Sequence, residues 1–229
     1  MIEENYREVE AKVREAAVRS GRAPEDVTLI AVSKTKPLSD IEALIRIGVR
    51  EFGENKPQEL KEKYDQVSTP VHFHQIGHLQ TNKVKYVIDR AVLIHSVDSV
   101  HLAEQIQKEA EKRGITAEVL IEVNAAEEDT KFGVTLDAAP GLVEEIAKFP
   151  NVHINGLMTI APFVDDPEEN RPVFRAMQQL LLDIKSKKID NVDMNVLSMG
   201  MTNDYEVAIE EGATMVRVGT AIFGERNVK

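Results

Sequence analysis

Thr28-Leu29-Ile30-Ala31-Val32-Ser33-Lys34-Thr35-Lys36-Pro37 is a short β-branched and apolar run that breaks into a polar, cationic tip and stops at a proline. Ser39 to Ile47 then carries apolar residues at helical spacing, and Gly48 supplies a C-terminal stop. Strand, polar tip and helix in that order make one β/α unit. Working outward, the same kind of run recurs at Arg50 to Gly53, Val71 to Gly77, Val92 to Val97, Glu118 to Asn124, His153 to Ile160, Asn195 to Met199 and Met215 to Ile222. With Thr28 to Ser33 this predicts eight strands.

Helical patterns fall between them at Val100 to Lys112, Leu136 to Phe149, Glu169 to Ile184 and Asn203 to Glu210, with Gly114 and Gly212 at further stops. Regular β-then-α alternation favours parallel strands joined by right-handed crossovers. Such units either close into a barrel or lie open as a doubly wound sheet. No Gly-rich dinucleotide fingerprint follows the first strand, which favours a single (β/α)8 barrel of the TIM type. Tyr6 to Ser20, with Val9, Val13, Ala16 and Ala17 at helical spacing, is an additional N-terminal helix expected to pack outside it. No Pro/Ser-rich linker or low-complexity stretch interrupts the chain, so residues 1–229 are read as one α/β domain.

The absence of cysteine removes disulfides, zinc thiolates and thiol nucleophiles, and no other metal site is expected. The acidic start, Met1-Ile2-Glu3-Glu4, is unlike a secretory leader, and no apolar run is long enough to span a bilayer, so a cytoplasmic protein without membrane contact is expected. A formal net charge of −11 opposes the counterion-release term that drives nucleic-acid binding, which excludes that partner class. The same charge repels phosphorylated ligands at long range. Any anion site must therefore be built locally, from backbone N–H groups and a few cations.

In a barrel the chemistry sits at the strands' C-terminal ends. Those ends are polar here: Ser33 to Pro37, Phe52 to Asn55, His74 to His78, Ser198 to Thr202, and Arg217 to Thr220. Lys34 follows directly on Leu29 to Val32, so its stem is expected to be desolvated, which favours a neutral, nucleophilic amine over the solvated charge that a strand-end lysine usually is. On an extended strand Lys36 would share its face, about 6.6 Å further out. Ser198 and Gly200 in a turn, a capping box between Asn203 and Glu206, and Gly219-Thr220 after the last strand predict an anion cradle on the two loops where barrels commonly hold phosphate. Arg217 interrupts an apolar run and needs a partner, either a structural carboxylate or a ligand.

Taken together, Ala31-Val32-Ser33-Lys34-Thr35-Lys36-Pro37, Phe52-Gly53-Glu54-Asn55, Ile76-Gly77-His78-Leu79-Gln80-Thr81-Asn82-Lys83, Gly156-Leu157-Met158-Thr159-Ile160, Leu197-Ser198-Met199-Gly200-Met201-Thr202 and Arg217-Val218-Gly219-Thr220-Ala221-Ile222-Phe223-Gly224 resemble the YggS/PROSC family of pyridoxal 5′-phosphate (PLP) homeostasis proteins from end to end. The resemblance implies a barrel like the N-terminal domain of alanine racemase, with Lys34 in Schiff-base linkage to PLP. It implies phosphate held around Ser198, Gly200, Gly219 and Thr220, Arg217 facing the pyridine nitrogen, Asn55 and Met158 lining the cofactor, and His74 behind it. Two positions depart from the family pattern, Lys56-Pro57 after Asn55 and Gln75 after His74.

The expected function is reversible PLP binding that contributes to intracellular PLP homeostasis without turnover, so no residue is assigned a catalytic role. PLP-dependent apoenzymes are the expected recipients and a monomer the expected state. The chain reaches Lys229 soon after the eighth strand, which leaves no length for a second domain of the racemase kind. The alternatives are a PLP-dependent amino-acid racemase-like enzyme and a cofactor-free Schiff-base aldolase.

Overall fold

A computed structural model describes residues 1–225. Eight parallel strands close in sequence order: β1 Thr28–Val32, β2 Glu51–Glu54, β3 His72–Gln75, β4 Ala91–Val97, β5 Ala117–Glu122, β6 Val152–Met158, β7 Val192–Ser198 and β8 Met215–Val218, with β8 pairing β1. The protein is a (β/α)8 TIM barrel. Its helices are α1 Ile2–Arg19, α2 Leu38–Arg46, α3 Pro57–Gln66, α4 Val100–Arg113, α5 Ala139–Ile146, α6 Arg171–Ser186, α7 Tyr205–Glu210 and α8 Thr220–Phe223. A 3-10 segment, Thr81–Tyr86, stands where a helix would follow β3.

Each strand alternates its side chains between two cores. Outward residues such as Ala31, Phe52, Phe73, Ile94, Ile121, Leu157, Leu197 and Val216 join the helices in one large apolar cluster. The inward set is different: Leu93, Leu120 and Met158 form a small apolar group, with Val196 and Met215 against it. Other inward positions are polar and buried, namely His74, His95, Ser198 and Arg217. The N-terminal helix α1 lies outside, burying Tyr6, Val9, Val13, Ala16 and Ala17, the apolar face anticipated from its spacing.

Several boundaries differ from the sequence reading. The run Met215 to Ile222 is not one strand: β8 ends at Val218 and α8 begins at Thr220, because apolar residues serve a buried strand and a buried short helix equally well. Helix α7 starts at Tyr205 with Asp204 as N-cap, and Asp204 Oδ1 accepts from Met201 N, so the Asn203/Glu206 capping box is absent. Helix α3 is an addition. Pro57 occupies its first turn, and its polar sequence buries only Pro57, Leu60 and Lys63, too weak an apolar stripe to announce a helix.

Candidate functional site

The C-terminal ends of the strands surround a cavity of about 700 Å³ whose lining includes Lys34, Lys36, Asn55, Glu122, Arg217, Gly219 and Thr220. Lys34 sits in a turn, not on an extended strand: β1 ends at Val32, Lys36 N donates to Ser33 O at 3.0 Å, and Thr35 takes a left-handed φ of 63°. That turn is clamped from both sides. Ser33 Oγ donates to the buried Glu54 at 2.6 Å, Lys63 Nζ donates to Ser33 O at 2.7 Å and to Glu54 Oε1 at 2.7 Å, and Thr35 N donates to Glu59 Oε1 at 2.6 Å. Helix α3 thus holds the lysine's loop in place through Lys63 and Glu59.

The expected desolvation of Lys34 is only partial, since its side chain is half-buried in the cavity wall. Lys36 is separated from it by function as well as by the turn. Its Nζ donates to Phe223 O at 2.9 Å, closing the carbonyl end of α8. Lys131 is similarly engaged, with Nζ donating to Ala161 O at 3.0 Å.

Arg217 is buried at 4% exposure and forms no ion pair with a carboxylate among the described residues, so the structural-carboxylate alternative is not realised. Its Nη1 donates to Ser198 Oγ at 2.5 Å and its Nη2 to Thr159 O at 2.8 Å. Burial pulls the guanidinium down to about 10, against the opposing pull of Glu122 and Asp204. Glu122 is the unexpected member of the site. It ends β5, lines the cavity, and leaves Oε2 buried without a hydrogen-bond partner. Burial raises its carboxyl to about 7, with Asp98 adding to the rise and Arg217 opposing it. An acid closing the apolar run Val119 to Ile121 is the same kind of signal that drew attention to Arg217.

The residues expected to form an anion cradle do not all face the cavity. Ser198 is fully buried, and its hydroxyl is shared between Arg217 and His95. Gly200 faces α7, where a Cβ would meet Ala208 Cβ at 2.6 Å, and Met158 belongs to the barrel-interior group. All three stand behind the cavity wall. The groups that face the cavity are Thr202 and Asn203 on one loop and Gly219 and Thr220 on the other. Backbone N–H groups of Thr202, Asn203, Thr220 and Ala221 make no hydrogen bond within the described residues. At the rim, His78 stacks on Phe132 with ring centroids 3.7 Å apart. His74 lies in the barrel interior and does not reach the cavity lining.

The alanine racemase, N-terminal domain family matches residues 2–227. A pyridoxal phosphate homeostasis protein of Aquifex aeolicus is 45% identical over 216 residues, covering 94% of this chain and 94% of the relative. Among solved structures, a protein of unknown function from Bifidobacterium adolescentis superposes with a TM-score of 0.91 at 37% identity, covering 97% of this chain and 94% of that one. PipY of Synechococcus elongatus, solved with PLP bound, has a TM-score of 0.80 at 32% identity, covering 93% of this chain and 99% of that one.

Proposed function

This chain belongs to the alanine racemase N-terminal domain family and, within it, to the pyridoxal phosphate homeostasis proteins, and from that membership we propose that it binds PLP reversibly, with Lys34 in Schiff-base linkage, and carries it without turnover. The observation that supports this most is the gathering of an amine, a buried guanidinium and the unbonded backbone N–H groups of Thr202, Asn203 and Thr220 around one cavity of about 700 Å³. These residues fit the cofactor. The N–H groups of Thr202 and Asn203, and of Thr220 where α8 begins, suit a phosphate dianion, Lys34 an aldehyde, and Arg217 keeps guanidinium donors for a ring nitrogen after serving Ser198 and Thr159. Gly200 and Ser198 support this wall from behind. When bound, PLP supplies an electrophilic aldehyde and an electron-withdrawing ring.

The net charge of −11 confines phosphate attraction to this local cradle and disfavours nucleic acid. Among the described residues no helix is long and apolar enough to cross a membrane. We place the protein in the cytoplasm as a monomer, with PLP-dependent apoenzymes as recipients. Adding PLP to apoprotein and following the yellow absorbance beside equilibrium dialysis tests the reading. A saturable, coloured complex is expected. A colourless protein that binds a sugar phosphate instead would establish the aldolase alternative.

A further inference from the structure

A continuous hydrogen-bonded chain runs through the barrel interior, one residue each from β2, β3, β4, β7 and β8. Glu51 Oε2 meets His74 Nε2 at 2.8 Å, His74 Nδ1 meets His95 Nε2 at 2.9 Å, His95 Nδ1 meets Ser198 Oγ at 2.9 Å, and Ser198 Oγ receives Arg217 Nη1 at 2.5 Å. Glu51 opens β2 and lies toward the end opposite the cavity, whereas Arg217 lines the cavity.

Donor counting fixes every proton in this chain. Arg217 can only donate, so Ser198 Oγ accepts from it. The hydroxyl hydrogen then needs an acceptor, and the remaining neighbour is His95 Nδ1. His95 must therefore be bare at Nδ1 and protonated at Nε2, which makes His74 Nδ1 an acceptor and leaves His74 Nε2–H to donate to the Glu51 carboxylate. The reversed polarity fails: His95 Nδ1–H and Arg217 would both donate to Ser198, and the hydroxyl hydrogen would be stranded in a buried site. The environment agrees with a neutral His95, since burial, with His74 and Arg217 beside it, holds the imidazole well below its usual value. The His72 ring, exposed on the same end, donates to the other Glu51 oxygen at 2.6 Å and helps keep that carboxylate charged.

We propose that His95 is a positioning residue for Arg217, the central link of a unidirectional relay from the cavity's guanidinium through Ser198 and His74 to Glu51. The relay orients the Ser198 lone pair toward Arg217, and with Thr159 O on the other side it leaves the guanidinium one orientation toward the cavity. This rests on the cofactor reading, in which Arg217 donates to the pyridine nitrogen.

Two measurements test it. In ¹⁵N-resolved NMR of the wild-type protein without PLP, His95 should show a proton on Nε2 and none on Nδ1, and the opposite tautomer overturns the relay. Titrations with PLP and with an analogue carrying carbon in place of the ring nitrogen then examine its purpose. His95→Phe should weaken PLP about tenfold or more, the scale of a lost hydrogen bond to a charged group, while the analogue's affinity stays unchanged. His95→Gln, which retains a donor and an acceptor, should stay close to wild type. Equal losses for both ligands would make His95 core support and sink the positioning role. If the Phe variant does not fold, the wild-type tautomer still decides the relay, and a wild type that fails to bind PLP refutes the cofactor reading without touching that tautomer.

Discussion

Glu122 and Arg217 are buried in the wall of one cavity and influence each other's ionisation, yet they form no ion pair. Each pays for its burial separately: the carboxyl rises to about 7 and the guanidinium falls to about 10. Near neutral pH the arginine remains charged while the carboxyl is close to half-protonated, so this wall holds a cation steadily and a proton loosely.

Glu122 should therefore make the apoprotein's stability depend on pH. Its folded-state value lies above the ordinary 4.5, so the native state holds the proton more tightly than the unfolded chain. The stabilisation is fully present below 4.5 and is lost as pH rises through about 7. A shift of that size corresponds to about 3 kcal/mol. Glu122→Gln should gain on wild type by up to that amount between pH 4.5 and 8 in urea unfolding, levelling off above about 7. A difference that does not change with pH would remove the buried-carboxyl account.

At Gly156 the backbone of β6 passes close to that of β7. The register shifts there, and a Cβ would lie 1.8 Å from Val196 O, with two further backbone atoms of Val196 inside 3.0 Å. Backbone cannot step aside as a flexible side chain can. Gly156→Ala should cost at least about 3 kcal/mol in chemical denaturation or prevent folding altogether, whereas Gly141→Ala, with open space around its added methyl, should be mild.

The alternation of strand and helix was readable because the outward residues of the strands are mostly apolar, and the polar tips after Val32, Gly53 and Val218 marked the cavity end. Lys34, Asn55, Arg217, Gly219 and Thr220 all line that cavity. Ser198 was legible as a polar strand end but not in its bonding, since only the closed barrel brings His95 and Arg217 to its hydroxyl. His95 and Glu122 sit in runs that read as plain strands, and their meaning depends on which parity points inward. The N–H groups of Thr202 and Asn203 carry no side-chain signature at all.

Borohydride reduction of the PLP complex should place the adduct on Lys34. Lys34 is the lysine that the clamped turn after β1 sets in the cavity wall; Lys36, with Nζ on the carbonyl end of α8, and Lys131, bonded to the backbone of Ala161, are the rivals. Peptide mass mapping that finds the modification on either one would overturn the assignment. Lys34→Ala should lose the covalent linkage and still bind PLP, because the loops at Thr202 and Thr220 do not depend on that amine.

Phosphate should dominate affinity. Charge-assisted hydrogen bonds to backbone N–H groups contribute about 1.5–3 kcal/mol each when well formed, so pyridoxal should bind weaker than PLP by a factor of a hundred or so. Equal affinities in parallel titrations would dissolve the proposed cradle of Thr202, Asn203 and Thr220 N–H groups. Thr202→Pro, which removes one donor, offers a narrower check and should weaken PLP while sparing pyridoxal.

The PLP complex should not racemise amino acids at an enzyme-like rate. An arginine that stays protonated, even with its value lowered to about 10, leaves a ring nitrogen opposite it unprotonated and the ring a weaker electron sink. Racemisation also needs a proton donor or acceptor on each face of the substrate. Lys34 can serve one face, but no tyrosine lines the cavity among the described residues, and Tyr205 is buried on α7 with its phenol pushed up to about 12. Among the acids that line the cavity, Glu122 has a value of about 7 that suits proton transfer. The decisive experiment incubates the PLP complex with L-alanine in deuterated water and follows α-proton exchange and optical purity, in wild type and in Glu122→Gln. Slow exchange in both is expected of a carrier. Rapid loss of optical purity in the wild type, abolished by Glu122→Gln and by Lys34→Ala, would identify a two-base enzyme and refute the carrier reading.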